Sequence, residues 1–146
     1  MAKGDEWDVF EYEWNMARLL WATLAANTYQ NFEQTIKNVV VEGLVLHTRI
    51  LIEILLSNKG EPDDIVLSEL MPTFNSSHIA ALRAAYGESK TVHAPRWLFN
   101  KMLAHATAHR ANTHDYIVPL RAVWPHIFAI MAELATHTPA PPFSCQ

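Results

Sequence analysis

The chain has 146 residues, of which 50% are hydrophobic and 18% are charged, and its formal net charge is −4. This composition predicts a globular chain that buries a core without disulfides or a structural metal, and it excludes a disordered protein. The negative charge excludes binding to nucleic acid or an anionic membrane through overall charge alone. Only four glycines occur, and strand-like alternation is scarce, which favours an all-α protein.

The first part of the chain predicts two long helices. Apolar residues recur at helical spacing within 5–26, and acidic residues at the start of this segment complement the helix dipole. A second helix is predicted over 31–56, followed by a glycine-containing stop at 57–60. Because this helix is apolar on nearly all sides, we expect it to be the central one.

Shorter elements follow. A turn or short helix is expected over 61–70, and a capped helix over 78–86 that Gly87 closes. The next helix begins within 91–95, where Pro95 suits the first turn.

A last helix is predicted over 116–137, with Pro119 early in it and a kink expected at Pro125. The proline-rich tail, 138–146, is expected to be extended and loosely held. Residues 1–137 therefore predict a single α-helical domain, an antiparallel bundle of four to five helices.

Three charged residues share one side of the central helix. Glu42, Arg49 and Glu53 fall within about 40° of each other, because seven residues nearly complete two turns. Two interpretations stay open for Arg49. It forms a buried structural ion pair with Glu53, or it faces the later helix across a shared pocket.

The segment 96–114 is the densest in polar side chains. Residues 90–126 hold five Lys or Arg, five His and one acid, whereas residues 1–70 hold twelve acids against five bases. We therefore expect a basic patch on an acidic molecule, strengthened as the histidines protonate. The polar residues of the segment are Arg96, Asn100, Lys101, His105, His109, Arg110 and His114.

One function that these residues predict is metal-free acid–base chemistry. His105 can serve as acid or base, Arg49 or Arg110 as a phosphate clamp, and Asn100 as a positioning group. Such a set can hold an RNA phosphate and move a proton to or from a ribose hydroxyl without a cofactor. The alternative is a solvated helix face, which arginine and histidine often form together.

A metal site is another possibility. His105 and His109 are four residues apart and project from one helix face, and His47 on the central helix is a candidate third ligand. Ala106 stands where the HExxH zinc motif requires glutamate. The alternative is that the two histidines are partly exposed and pack against their neighbours.

Two further features bear on assembly and location. Trp7, Trp14 and Trp21 are spaced by seven residues, so they form one helix stripe, in the core or at a dimer seam. The single cysteine, Cys145, fits a reducing compartment. The N-terminus lacks an apolar signal core, and the apolar run 39–56 contains four ionisable residues, so we expect a cytoplasmic protein outside the membrane.

Three segments resemble an uncharacterised bacterial family. Residues 47–53 read HTRILIE, residues 63–65 read DDI, and residues 99–107 read FNKMLAHAT. That family carries a His-x-Arg-x-Leu-x-Glu helix and a later Ile-Asn-Lys-x-x-Ala-His-x-Thr helix. The third segment also resembles the Arg-Asn-Lys-x-x-Ala-His core of HEPN domains, which are α-helical bundles.

Four residues match the HEPN core directly, namely Asn100, Lys101, Ala104 and His105. Phe99 stands where the HEPN core has an arginine that is expected to bind the scissile phosphate. Ribonuclease activity therefore requires another arginine to take that place in space.

Many HEPN proteins are dimeric, metal-independent ribonucleases of toxin–antitoxin or phage-defence systems. The resemblance implies a homodimer that binds or cleaves RNA, or a degenerate, non-catalytic version that binds a nucleotide or a cognate protein. On this basis we expect a catalytic set of His105, Asn100 and Arg49 and a substrate-binding set of Lys101, Arg110 and Arg96.

A second resemblance competes with the first. His47 followed by His105, His109 and Arg110 is similar to the pattern of DinB-like metal-binding four-helix bundles. It implies a divalent metal, such as Zn or Ni, bound by the three histidines. The spacing between the first two histidines is shorter here than in that family, so we rank this resemblance below the HEPN-like one.

Overall fold

The computed structural model describes residues 3–58, 61–104 and 114–145. These residues contain six α-helices and no strand, so the all-α prediction is confirmed. The elements are α1 (Lys3–Ala25), a 3-10 helix (Asn27–Asn31), α2 (Gln34–Leu56), α3 (Leu67–Leu70), α4 (Ser77–Tyr86), α5 (Pro95–Ala104) and α6 (His114–Thr136).

The ends of α4 and α5 follow the predicted sequence signals. The Ser76 hydroxyl accepts a hydrogen bond from the His78 backbone N–H at 3.1 Å and so caps α4. Gly87 ends α4 with φ of 80°, and a Cβ added there would lie 2.9 Å from the Cβ of Ala94. Pro95 is the first residue of α5, as expected.

The described residues hold more helices than the four to five that we expected. The sixth is α3, a single turn inside 61–70, where the sequence predicted a turn or a short helix. Its Leu67 and Leu70 are both buried, together with the flanking Val66 and Met71. Tertiary packing of these apolar side chains stabilises a turn that is too short to be stable alone.

The central position predicted for α2 is confirmed, because α2 packs against all five of the other α-helices. Leu44, Val45, Leu51 and Ile52 of this helix are completely buried. Ten of the 23 residues of α2 are buried, so polar residues on its covered sides need partners on neighbouring helices.

The tryptophan stripe packs inside the chain. The Trp124 ring stacks on Trp21 at 5.4 Å and on Trp14 at 6.2 Å, and its indole N–H donates to Thr48 Oγ1 at 3.2 Å. Trp7 stacks on Phe10. Of the two roles that the sequence left open for this stripe, the structure supports the core.

The tail expected to be loosely held packs onto α1. The Phe143 ring meets Trp7 at 6.0 Å and Phe10 at 5.3 Å, both edge-on, and Cys145 is only 7% exposed. The prediction of a loose tail was wrong because these two apolar residues anchor a proline-rich segment. Burial also raises the pKa of the Cys145 thiol to about 11, so this group is protonated at neutral pH.

Among the described helices, α6 has the length and composition of a membrane-crossing helix, with a mean hydropathy of 1.4 over Tyr116–Thr136. In this fold many of its apolar residues pack in the hydrophobic core. Leu120, Val123, Ile127 and Ile130 are completely buried. Pro119 and Pro125 both lie inside the helix.

Substitution of two leucines of α2 tests which side of this helix is buried in the core. Replacement of the completely buried Leu44 by alanine should lower the free energy of unfolding by about 3 kcal/mol, through lost burial and a residual cavity. Leu46, which is 39% exposed, is the matched control, and Leu46→Ala should cost less than about 1 kcal/mol. Urea unfolding followed by circular dichroism measures both. Equal losses would contradict the placement of α2.

Candidate functional site

Three consecutive residues of α2 point to three different helices. His47 contacts α1, Thr48 contacts α6 and Arg49 contacts α5. Successive helix residues are rotated by about 100°, so neighbours in sequence face different partners. Arg49 and His47 are therefore held on different sides of the central helix.

Arg49 meets Asn100 across the bundle. Its Nε donates a hydrogen bond to Asn100 Oδ1 at 3.1 Å, which joins two residues that are 51 positions apart. Arg49 also lies 3.7 Å from the Glu53 carboxylate, but these side chains are 36% and 53% exposed. The interpretation that Arg49 faces the later helix is confirmed, and its pair with Glu53 is not a buried one.

This contact lies at a polar cavity of about 220 Å³, which we call the arginine pocket. It is bounded by α2, α4, α5 and the segment that follows α4. Its lining residues are Arg49, Ile52, Glu53, Leu56, Ser57, Arg83, Tyr86, Gly87, Glu88, Arg96 and Asn100.

Positive charge exceeds negative charge in this pocket, with three arginines against two glutamates. The Arg96–Glu88 distance is 3.9 Å, and these side chains are 44% and 80% exposed. Long, exposed ion pairs such as this one and Arg49–Glu53 contribute little free energy. A bound anion can therefore compete for both guanidinium groups.

Arg83, unlike the other two arginines of the pocket, has a structural role. Its Nη2 donates a hydrogen bond to the Leu56 carbonyl at 2.9 Å. Leu56 is the last residue of α2, where carbonyl groups lack partners within the helix. Arg83 thus caps α2 and ties α4 to it.

Tyr86 supplies the buried wall of the pocket. Its ring is 6.1 Å from that of Phe99, and the Arg96 guanidinium lies 5.9 Å from its centroid. Burial raises the pKa of Tyr86 to about 12, against the opposing effect of Arg49 and Arg96 and with a further increase from Glu53. The hydroxyl therefore stays neutral and able to donate a hydrogen bond at physiological pH.

Phe99 stands at the position where the HEPN-like resemblance would place an arginine. Its side chain is completely buried in the core beside Tyr86. An arginine there would have to bury its charge. Arg96, one turn before Asn100 on α5, lines the pocket instead, together with Arg49.

Of the other two predicted substrate-binding residues, only Lys101 is among the described residues, and it is not in this pocket. Lys101 Nζ lies 5.5 Å from the Trp97 ring centroid, and Lys101 does not line the cavity. His105, His109 and Arg110 lie outside the described residues.

His47, the proposed third metal ligand, is bound on the α1 side. Its Nδ1 is 2.6 Å from Glu13 Oε2, and the two side chains are only 13% and 9% exposed. Within 3–58, 61–104 and 114–145, no group of three or more His, Cys, Asp or Glu side chains is arranged to hold a metal ion.

Sequence reasoning missed the contribution of α4 and the segment after it, namely Arg83, Tyr86, Gly87 and Glu88. The sequence predicted that helices end after α2 and at Gly87, but it did not predict that these two helix ends lie close together. Arg83 was the available signal, because a basic residue in the last turn of a short helix is well placed to reach exposed carbonyl groups.

Compared with known proteins, the chain matches no protein-family model, no curated protein and no solved structure.

Tyr86 can be tested by spectrophotometric titration at 295 nm. Tyr86 should ionise only near pH 12, so Tyr86→Phe should lower the amplitude of the late step by one tyrosine. Because the folded pKa is raised above the ordinary value of 10.0, the stability is intact below pH 10 and falls as pH rises toward 12. A late step of unchanged amplitude in Tyr86→Phe would contradict the burial of this hydroxyl in the pocket.

Proposed function

We propose that this protein is a HEPN-like bacterial RNA-binding protein whose arginine pocket holds a phosphate of the RNA backbone. The observation that carries this proposal is the Arg49–Asn100 contact. It joins α2 and α5, the two helices whose sequences carry the family resemblance, at a pocket with excess positive charge. Arginine presents a planar fork of donors that suits phosphate oxygens, and Asn100 orients that fork.

The size of the pocket favours one phosphate of a polymer over an enclosed nucleotide. A cavity of about 220 Å³ equals roughly seven water volumes of about 30 Å³ each. This lies below the ~300–1,000 Å³ of sites that enclose a whole small molecule. A phosphate and part of its ribose fit this volume, and the rest of the strand would lie outside.

The position of α5 adds to the positive potential. Its first turn contains Arg96 and no acidic residue. A helix N-terminus carries a partial positive charge, and here it lacks the carboxylates that often neutralise it. The helix dipole and Arg96 therefore both favour an anion at this end of the pocket.

An antiparallel, HEPN-like arrangement is part of the same proposal. Glu13 of α1 pairs with His47 of α2, whereas Leu20, later in α1, approaches Gly43, earlier in α2. Contacts that run in opposite directions along two helices support an antiparallel pair. The proposal further places the protein in the cytoplasm as a homodimer, associated through the helix that carries Arg96 and Asn100.

In the catalytic form of the proposal, Arg49 and Arg96 bind the phosphate while His105 accepts the proton of the ribose 2′-hydroxyl, whose oxygen attacks the phosphorus. The bond from phosphorus to the 5′-oxygen of the next nucleotide breaks, and the protonated His105 returns the proton to that leaving oxygen. His105 follows Asn100 by five residues. No metal is required for this step, since a neutral or protonated imidazole supplies base and acid in turn. The non-catalytic form retains the phosphate contacts alone.

RNA binding is tested by fluorescence anisotropy with a labelled single-stranded 12-mer RNA. Arg49→Gln should weaken binding about tenfold, because it removes a charge-assisted hydrogen bond to phosphate. The slope of log K against log salt should fall by about 0.7, the value for one phosphate contact on a single strand. Arg49→Lys should weaken binding less, since it keeps the charge but loses the fork.

The matched control is Arg121→Gln, which removes the same charge from an exposed residue of α6 outside the pocket. Equal effects of Arg49→Gln and Arg121→Gln would mean that net charge, not the pocket, governs binding. That result would refute the proposed site.

Cleavage is tested on the same RNA in the presence of EDTA. His105→Ala should reduce the rate by 10²–10⁴-fold, a range typical of a lost general acid or base. Binding without cleavage would leave the non-catalytic form. Cleavage that requires added Zn or Ni and is lost in His47→Ala would instead favour the DinB-like interpretation.

A further inference from the structure

A second concave site lies between α1, α6 and the C-terminal tail, and it shares no residue with the arginine pocket. Its volume is about 550 Å³, within the ~300–1,000 Å³ range of small-molecule sites. We call it the tryptophan groove. Its lining residues are Trp14, Arg18, Trp21, Ala22, Phe128, Ala132, Ala135, Thr136 and Cys145.

The walls of the groove are rigid and apolar. Trp14 and Trp21 are held by stacking on Trp124, and Phe128 packs edge-on against Trp14 at 6.0 Å. Phe128 is 43% exposed and so adds accessible apolar surface to the groove. The alanines of the lining leave the space that an apolar ligand would fill.

Among the described residues of the lining, Arg18 is the only charged one. Its Nε donates a hydrogen bond to Asn15 Oδ1 at 3.1 Å, which fixes the guanidinium, and it forms no ion pair with any residue that the structure describes. An unneutralised cation beside an apolar groove is notable in a chain with a net charge of −4. The groove is thus complementary to a ligand with one negative charge.

Trp14 and Thr136 of the lining also carry hydrogen-bond donors. One of them lacks an acceptor among the described residues, and the other already donates to a backbone carbonyl. The Trp14 indole N–H is buried without an acceptor in the described part of the chain, although Trp14 is only 1% exposed. Thr136 donates its hydroxyl hydrogen to the Glu133 carbonyl. Among the described residues that line the groove, none carries a carboxylate.

We propose that the tryptophan groove binds a small amphipathic carboxylate, such as a medium-chain fatty acid. The carboxylate pairs with Arg18, and the apolar chain lies against Trp21 and Phe128 and over the alanines of α6. Burial of the chain supplies most of the affinity, and the arginine distinguishes an anion from a neutral molecule of equal length.

The experiment uses the full chain, with 8-anilinonaphthalene-1-sulfonate as a fluorescent probe that is both apolar and anionic. Sodium decanoate, below its micellar concentration, should displace the probe with one site per chain. Decanol should displace it at least tenfold less well. Isothermal titration calorimetry with decanoate gives the stoichiometry independently.

Three variants locate the site. Arg18→Gln should weaken decanoate at least tenfold and leave decanol unchanged, whereas Arg121→Gln, the same change elsewhere on the surface, should alter neither. Ala132→Phe should fill the groove and weaken both ligands. Near-ultraviolet circular dichroism of the tryptophan cluster confirms that each variant keeps its packing, so a loss of binding is not a loss of fold.

Several results would overturn the proposal. Equal affinity for decanoate and decanol, or no effect of Arg18→Gln, would remove the role of the arginine. Displacement of the probe by RNA, but not by decanoate, would assign the groove to a nucleic-acid surface. A dimer in sedimentation experiments that Ala132→Phe dissociates, without any decanoate binding, would show that a second copy of the chain covers the groove.

Discussion

The burial of α2 is the constraint on which the other features depend. An apolar helix covered by five others can keep polar residues only where a neighbour supplies a partner. His47, Thr48 and Arg49 meet this requirement on three separate helices. The same packing that stabilises the core therefore aims one arginine at α5 and turns the nearest histidine away from it.

The arginine pocket forms where helices end. Residues from the C-termini of α2 and α4 meet the first turns of α5, and these ends carry carbonyl and amide groups without helical partners. Arg83 satisfies one such carbonyl, so it contributes to stability, whereas Arg49 and Arg96 have only weak, exposed carboxylate partners. This division leaves two guanidinium groups available to a ligand without loss of the helix cap.

The tryptophan groove uses the other side of the same architecture. Trp124 donates to Thr48 of α2 and stacks on both Trp14 and Trp21, so it links the central helix to α1. Trp124 lies on one face of α6. On the outer face of the same helix, Phe128 is left partly exposed beside small residues. The two proposed sites thus have different chemistry, one polar and one apolar, yet both depend on neighbours of α2.

Periodicity and stop signals were sufficient to predict the all-α class, the central α2 and the start of α5 at Pro95, because these depend on residues that are close in sequence. Local pattern left open whether 61–70 forms a turn or a short helix, and it could not predict the anchored tail, since both are stabilised by apolar packing with other parts of the chain. The sequence also named Arg49 and Asn100 as candidates and left open whether they met. Only the tertiary structure decided that Arg49 and Asn100 line one pocket together with residues of α4. The reason is that the orientation of α2 about its own axis, which the packing of the surrounding helices sets, determines which neighbour each α2 residue faces.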